Sequence, residues 1–167
     1  MIILLGYMGV GKSSVAKQLA KTLNLKYIDL DDFVEQKENK SISDIFKEKG
    51  EIYFRKIENQ YLNELLSSKS YDILALGGGT PCYANNLELI NANEHQSFYL
   101  KMDLTALTER LFRIKANRPL IAHILEPEEM KDFIRKHLFE RQFYYLQAKH
   151  IIDVSRLSIE EVVEAIL

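Results

Sequence analysis

The stretch Gly6-Tyr7-Met8-Gly9-Val10-Gly11-Lys12-Ser13 follows directly on the apolar run Met1 to Leu5 and matches the pattern G-x-x-x-x-G-K-[ST]. A strand that turns through glycines into a helix leaves main-chain N–H groups converging on one point, where they and the positive end of the helix dipole hold a polyphosphate. Glycine is needed because a Cβ would block both the turn and the close approach of the anion. In this reading Lys12 reaches the β- and γ-phosphates and the Ser13 hydroxyl completes the shell of a magnesium ion. Gly9, Val10, Gly11 and Ser14 are the other nucleotide-binding residues of the loop. The alternative is an ordinary glycine-rich turn between a strand and a helix.

Apolar runs at Ile2 to Leu5, Lys26 to Ile28, Ile73 to Leu76, Ser97 to Leu100 and Ile151 to Val154 have the length and composition of buried strands. Helical periodicity lies between them. Val15, Leu19 and Leu23 follow Lys12 at helical spacing, and Ile42, Ile45 and Phe46 are followed by Phe54, Ile57, Tyr61 and Leu65. Gly50 is expected to stop one helix before the next begins at Glu51. The alternation predicts an α/β fold: a three-layer arrangement with a five-stranded parallel sheet, helices on both faces and ligands above the carboxyl ends of the strands.

At 167 residues and 47% apolar composition the chain is expected to form one domain, 1–167, with a core that needs no staples. Two intervals fit the alternation poorly and are candidates for a substrate-binding segment, about 31–66, and a mobile lid, about 110–126. A net charge of −2, with Lys and Arg spread along the chain, gives no basic field for nucleic acid. No stretch is apolar for long enough to span a bilayer and no charged leader precedes the first strand, so a cytoplasmic monomer is expected. The single cysteine, Cys82, reads as a small, partly buried apolar residue, and the four histidines have no metal-ligand spacing.

Four other constellations carry chemistry. Asp29, Asp31 and Asp32 place three carboxylates at the end of the second strand, where they would hold metal-bound water or orient and deprotonate an acceptor hydroxyl; helix capping by Asp31 or Asp32 is the alternative. Arg55, four residues after Glu51 and three before Glu58, is either a solvated helix ion pair or a fork for a substrate carboxylate, oriented by Glu58. Gly77-Gly78-Gly79-Thr80-Pro81 ends the third strand and lets a second main-chain segment approach a ligand. Arg110, Arg113 and Arg118 fall in the lid interval, where a cation would neutralise charge on a transferring phosphoryl group. The later run Glu140-Arg141-Gln142-Phe143-Tyr144-Tyr145 mixes charge with aromatics that read as core.

Taken together, the phosphate loop, Asp29-Leu30-Asp31, Ser41-Ile42-Ser43-Asp44-Ile45-Phe46, Gly50-Glu51, Phe54-Arg55-Lys56-Ile57-Glu58, Gly77-Gly78-Gly79-Thr80-Pro81 and Arg118-Pro119-Leu120 resemble shikimate kinase, in order and spacing, over nearly the whole chain. The resemblance implies a P-loop kinase that phosphorylates the 3-hydroxyl of shikimate with ATP and magnesium, a step toward chorismate and the aromatic amino acids. It further implies that Asp31 binds the substrate hydroxyls as candidate base, that Arg55 binds the carboxylate, and that Gly77, Gly78 and Gly79 line the pocket, with Phe46 and Phe54 as its apolar wall. Asp29 would place magnesium with Ser13, Lys12 would hold phosphate and Arg118 would enter from the lid. The family's second substrate arginine is followed by a proline and has a tyrosine four residues on; Arg141 has Tyr145 at that spacing without the proline. Arg113 or Arg110, and Arg156 near the last loop, are the candidate adenine partners. A related small-metabolite kinase, such as one for gluconate, and a non-catalytic nucleotide-binding module are the competing readings.

Overall fold

The computed structural model describes residues 1–92, 94–117 and 120–167. Among these residues the strands β1 (Ile2–Leu5), β2 (Tyr27–Asp29), β3 (Ile73–Ala75), β4 (Gln96–Lys101) and β5 (His150–Asp153) form one sheet in the order β2-β3-β1-β4-β5. Every neighbouring pair is parallel; Ile2 of β1, for example, is in register with Ile73 on one side and Gln96 on the other. β1 takes the centre because Ile3, Leu4 and Leu5 are apolar toward both faces and all three are fully buried. The outermost strands are less covered than their apolar sequences suggest: Tyr27 and Ile151 remain exposed, since an edge strand has a neighbour on one side only. β2 and β5 are also displaced by one residue from the apolar runs, so that Asp29 is the last strand residue.

The right-hand rule for parallel crossovers assigns α1 (Lys12–Leu23) to one face, and it packs with α7 (Ile159–Ile166). The pair α5 (Leu104–Ile114) and α6 (Pro127–Tyr145) covers the other. After β2 come α2 (Leu30–Glu38) and α3 (Ile42–Ser68), the latter capped by the Ser41 side chain on the Asp44 N–H. Gly50 separates two helical stretches within this range, as its sequence position predicts: at φ 80°, ψ 174° it leaves helical geometry, and a second stretch continues across the kink from Glu51. A short helix α4 (Asn86–Ile90) precedes β4. Tyr145 of α6 is core as expected, whereas Phe143 is 70% exposed because two helix positions turn the ring by about half a turn. No helix among the described residues is long and apolar enough to cross a membrane.

The sheet order has one consequence for ligands. The chain leaves β1 toward β2 and later leaves β3 toward β4, so the crossovers reverse direction around β1 and β3. A crevice opens at such a switch point, beyond the carboxyl ends of the strands. The glycine loops that follow β1 and β3 stand side by side at its edge.

Candidate active site

The loop after β1 enters α1 through Gly11, whose φ of 102° is closed to most other residues, and no side chain caps the helix start. The first-turn N–H groups of α1 therefore meet the crevice rather than a capping oxygen. Lys12, 9% exposed, donates from Nζ to the carbonyls of Gly6 at 2.8 Å and Tyr7 at 3.0 Å, which holds its ammonium inside the loop. Ser13 Oγ donates to Asp29 Oδ2 at 2.5 Å. Asp29 Oδ1 accepts the Asp31 N–H at 3.0 Å, so it is Asp29, rather than Asp31 or Asp32, that caps α2. Capping leaves the Asp31 side chain available to the crevice.

A cleft of about 260 Å³ joins these groups: Gly9, Gly11, Lys12, Ser13 and Ser14 on one side, Asp29 and Asp31 at the end of β2, and Gly77 and Gly78 after β3. Val10 faces away into the core. Burial first, then the charges of Asp29 and Glu58, push the Asp31 carboxyl up to about 7, against the opposing pull of Lys12. A Cβ on Gly77 would come within 2.8 Å of Asp31 Oδ1, and one on Gly78 within 3.2 Å of the Met8 nitrogen. On Gly79 it would lie 2.8 Å from an Arg55 Nη atom. The triple glycine thus brings the acid, the phosphate loop and the arginine against one main-chain segment.

Arg55 is not a solvated pair. Its Nη1 donates to Glu58 Oε2 at 2.9 Å, Glu51 lies 3.5 Å from Nε, and the guanidinium stacks on the Tyr83 ring with 3.9 Å from Cζ to the centroid. Burial works against the cation, but the charge and hydrogen bond of Glu58 outweigh it and leave its pKa above the ordinary arginine value. Phe46 and Phe54 pack beside it with ring centroids 4.7 Å apart, on either side of the bend at Gly50. Arg141 comes in from α6: its guanidinium lies 5.8 Å from the Tyr7 ring centroid. The fields of Arg141 and Arg55 both reach the Cys82 thiol, which burial nonetheless pushes up to about 11. Burial outweighs both cations, and the thiol stays protonated at neutral pH.

The candidate adenine partners separate. Arg110 lines the phosphate-loop cleft, with an Nη atom 3.5 Å from where a Gly11 Cβ would sit, whereas Arg113 is exposed and 3.9 Å from Glu109. Arg156 lines another hollow, of about 370 Å³, with Asp103, Asp153 and Ser155. Arg118 lies outside the described residues.

Several contacts have no sequence signal of their own. Tyr7 Oη and His137 Nδ1 are hydrogen-bonded at 3.1 Å across 130 positions of sequence, and the Tyr145 hydroxyl donates to the Gly78 carbonyl. His137, Arg141 and Tyr145 recur every four residues along α6, a spacing that does place them on one helix face.

The family model described as shikimate kinase matches residues 8–167. The chain is 49% identical to the shikimate kinase of Flavobacterium johnsoniae over 166 residues, covering 99% of this chain and 96% of that one. It is 41% identical to that of Flavobacterium psychrophilum over 165 residues, covering 99% and 95%. The crystal structure of shikimate kinase from Bacteroides thetaiotaomicron superposes with a TM-score of 0.89 at 34% identity, covering 99% of this chain and 94% of the other. Shikimate kinase from Acinetobacter baumannii in complex with shikimate gives 0.85 at 32% identity, covering 99% and 89%.

Proposed function

The chain belongs to the shikimate kinase family, and from that premise we propose that it transfers the γ-phosphoryl group of ATP to the 3-hydroxyl of shikimate, giving shikimate 3-phosphate and ADP on the route to chorismate and the aromatic amino acids. The observation that carries the reading is the single cleft in which the phosphate loop and Asp31 share walls, with Arg55 pressed against the next glycine.

Phosphoryl transfer asks little covalent chemistry of the protein, so the work is positioning and neutralising charge. Lys12 exchanges its loop carbonyls for phosphate oxygens, while Gly9, Val10, Gly11, Ser13 and Ser14 supply the loop around them. Arg55 and Arg141 receive the carboxylate of shikimate; Asp31, at the other end of the ring, accepts from the hydroxyls and takes the proton of the one that attacks. Phe46 and Phe54 wall the ring, and Gly77, Gly78 and Gly79 line it. Arg118, from its motif, serves as the cation on the γ-phosphate, and Arg110, in place of Arg113, borders the nucleotide. Arg156 serves at the adenine end. Residues 31–66 form the substrate-binding segment and 110–126 the lid of one domain.

Ser13 and Asp29 are hard oxygen donors already in contact, which suits a magnesium ion that takes its remaining ligands from phosphate and water. Among the described residues no group of three or more His, Cys, Asp or Glu forms a cage by itself. The ion, when bound with ATP, offsets charge on the phosphate oxygens. The enzyme acts as a monomer in the cytoplasm under this proposal. ADP release that depends on shikimate, that gluconate and other hydroxy acids do not elicit, and that chelation of magnesium abolishes is the expected result of a coupled assay. Tight ATP binding with no acceptor-dependent turnover would leave a nucleotide-binding module instead.

A further inference from the structure

Glu58 is a carboxylate only 1% exposed, and a buried charge of this kind is tolerated when its oxygens are occupied. One oxygen takes the Arg55 Nη1 donor; the other, Oε1, takes the hydroxyl of Thr80 at 2.7 Å. Thr80 is itself fully buried and follows the three glycines directly. Its carbonyl accepts from Asn86 Nδ2 at 2.8 Å, and Asn86 Oδ1 accepts from Asn59 Nδ2 at 2.7 Å. Asn59 is the residue after Glu58 on α3, so the path Glu58, Thr80, Asn86, Asn59 leaves the helix and returns to it one residue later. The helix that carries Arg55 and the segment against which its guanidinium rests are tied together twice, once through the Thr80 side chain and once through its main chain.

We propose that Thr80 is a positioning residue for acceptor recognition. By holding Glu58 Oε1 it turns Oε2 to Arg55 and fixes the guanidinium in the orientation that receives the acceptor's carboxylate; this rests on the assignment of Arg55 to that carboxylate. A bidentate fork loses most of its advantage when its plane is free to rotate, so a hydroxyl that touches no substrate governs substrate affinity. Without the donor, Glu58 keeps one buried oxygen unmatched and Arg55 must follow whatever rearrangement satisfies it.

The test is Thr80→Val, which keeps the branched shape and removes the donor, beside Thr80→Ser, which restores it. The valine variant is expected to raise the KM for shikimate about tenfold, the worth of one hydrogen bond to a charged group, with the KM for ATP and kcat changed by less than about twofold and with the serine variant near wild type. In a Glu58→Gln background the same valine change is expected to add little, because the two residues act in series. An unchanged shikimate KM in Thr80→Val overturns the proposal. So does an equal rise in both KM values with a lowered melting midpoint, which marks a purely structural role. A wild-type enzyme indifferent to shikimate, or an Arg55→Lys variant with unaltered shikimate KM, removes the premise instead and is read without Thr80.

Discussion

At the scale of single residues the site is built on one displaced acid. The Asp31 carboxyl sits near 7 because it is buried beside Asp29 and Glu58, far above the ordinary aspartate range near 4. In the proposed role of general base it must be ionised, so kcat/KM for shikimate is expected to rise with pH through about 7, and Asp31→Asn is expected to remove that limb and to lower the rate by about a hundredfold or more. The sign for stability is opposite. With the folded pKa above the unfolded one, the contribution is fully present below about pH 4 and is lost as pH climbs through about 7. Denaturant titrations at pH 5 and 8 should therefore show wild type losing stability that Asp31→Asn keeps; parallel behaviour of the two proteins would refute the assignment. The placement of Lys12 and Asp31 was open to inspection in the sequence because each follows a strand end, where topology alone brings it to the crevice, whereas Arg55 lies within α3 and was marked only by its spacing from Glu51 and Glu58. Arg110 and Arg113 were not separable. They are less than one helical turn apart, and which one meets the loop depends on how burial of Leu107 and Leu111 rolls α5 about its axis.

At the scale of elements, α6 is the part of the site that the sequence conceals. Its two terminal contacts reach Tyr7 in the loop after β1 and Gly78 in the loop after β3, and Arg141 projects between them. The helix therefore sets the distance between the two glycine loops as well as delivering a cation. Tyr145→Phe keeps the packing against Tyr99, whose ring centroid is 5.1 Å away, but strips the Gly78 carbonyl of its donor. The expected loss is about 1 to 2 kcal/mol of unfolding free energy by chemical denaturation, the cost of one buried group left unpaired, accompanied by a weaker hold on shikimate. No change in either quantity would mean that the hydroxyl is idle. Such contacts span 67 and 130 positions and join residue types with many possible partners, so no local pattern announces them. The break at Gly50, by contrast, was legible, because a residue at φ 80° is one that glycine adopts without strain and the sequence supplies a glycine where one helical stretch gives way to the next.

At the scale of the whole molecule, the two substrates meet different parts of one framework. Under the proposed function, nucleotide phosphates are placed on the β1–α1 turn and the acceptor on α3, α6 and the segment after β3. Each ligand should accordingly raise the melting midpoint by itself, by roughly 5 to 10 °C at about a hundredfold excess over its Kd for a chain of this size. Lys12→Ala is expected to lose the response to ATP and keep that to shikimate, and Arg55→Ala the reverse; a variant that lost both responses while still folded would contradict the division. The parallel sheet and its switch point follow from the alternation of apolar runs and helical stretches, which is why the architecture was legible from the chain before any contact was known. The three consecutive glycines carry a consequence for anyone redesigning this enzyme. Each missing side chain is already filled by a different neighbour, Asp31, the Met8 nitrogen and Arg55 in turn, so this segment has no vacancy in which to accommodate a new acceptor. Under the proposed function, libraries aimed at altered selectivity are better directed to Phe46, the less buried ring of the Phe46–Phe54 pair, since Phe54 is core and lies under the Arg55 guanidinium.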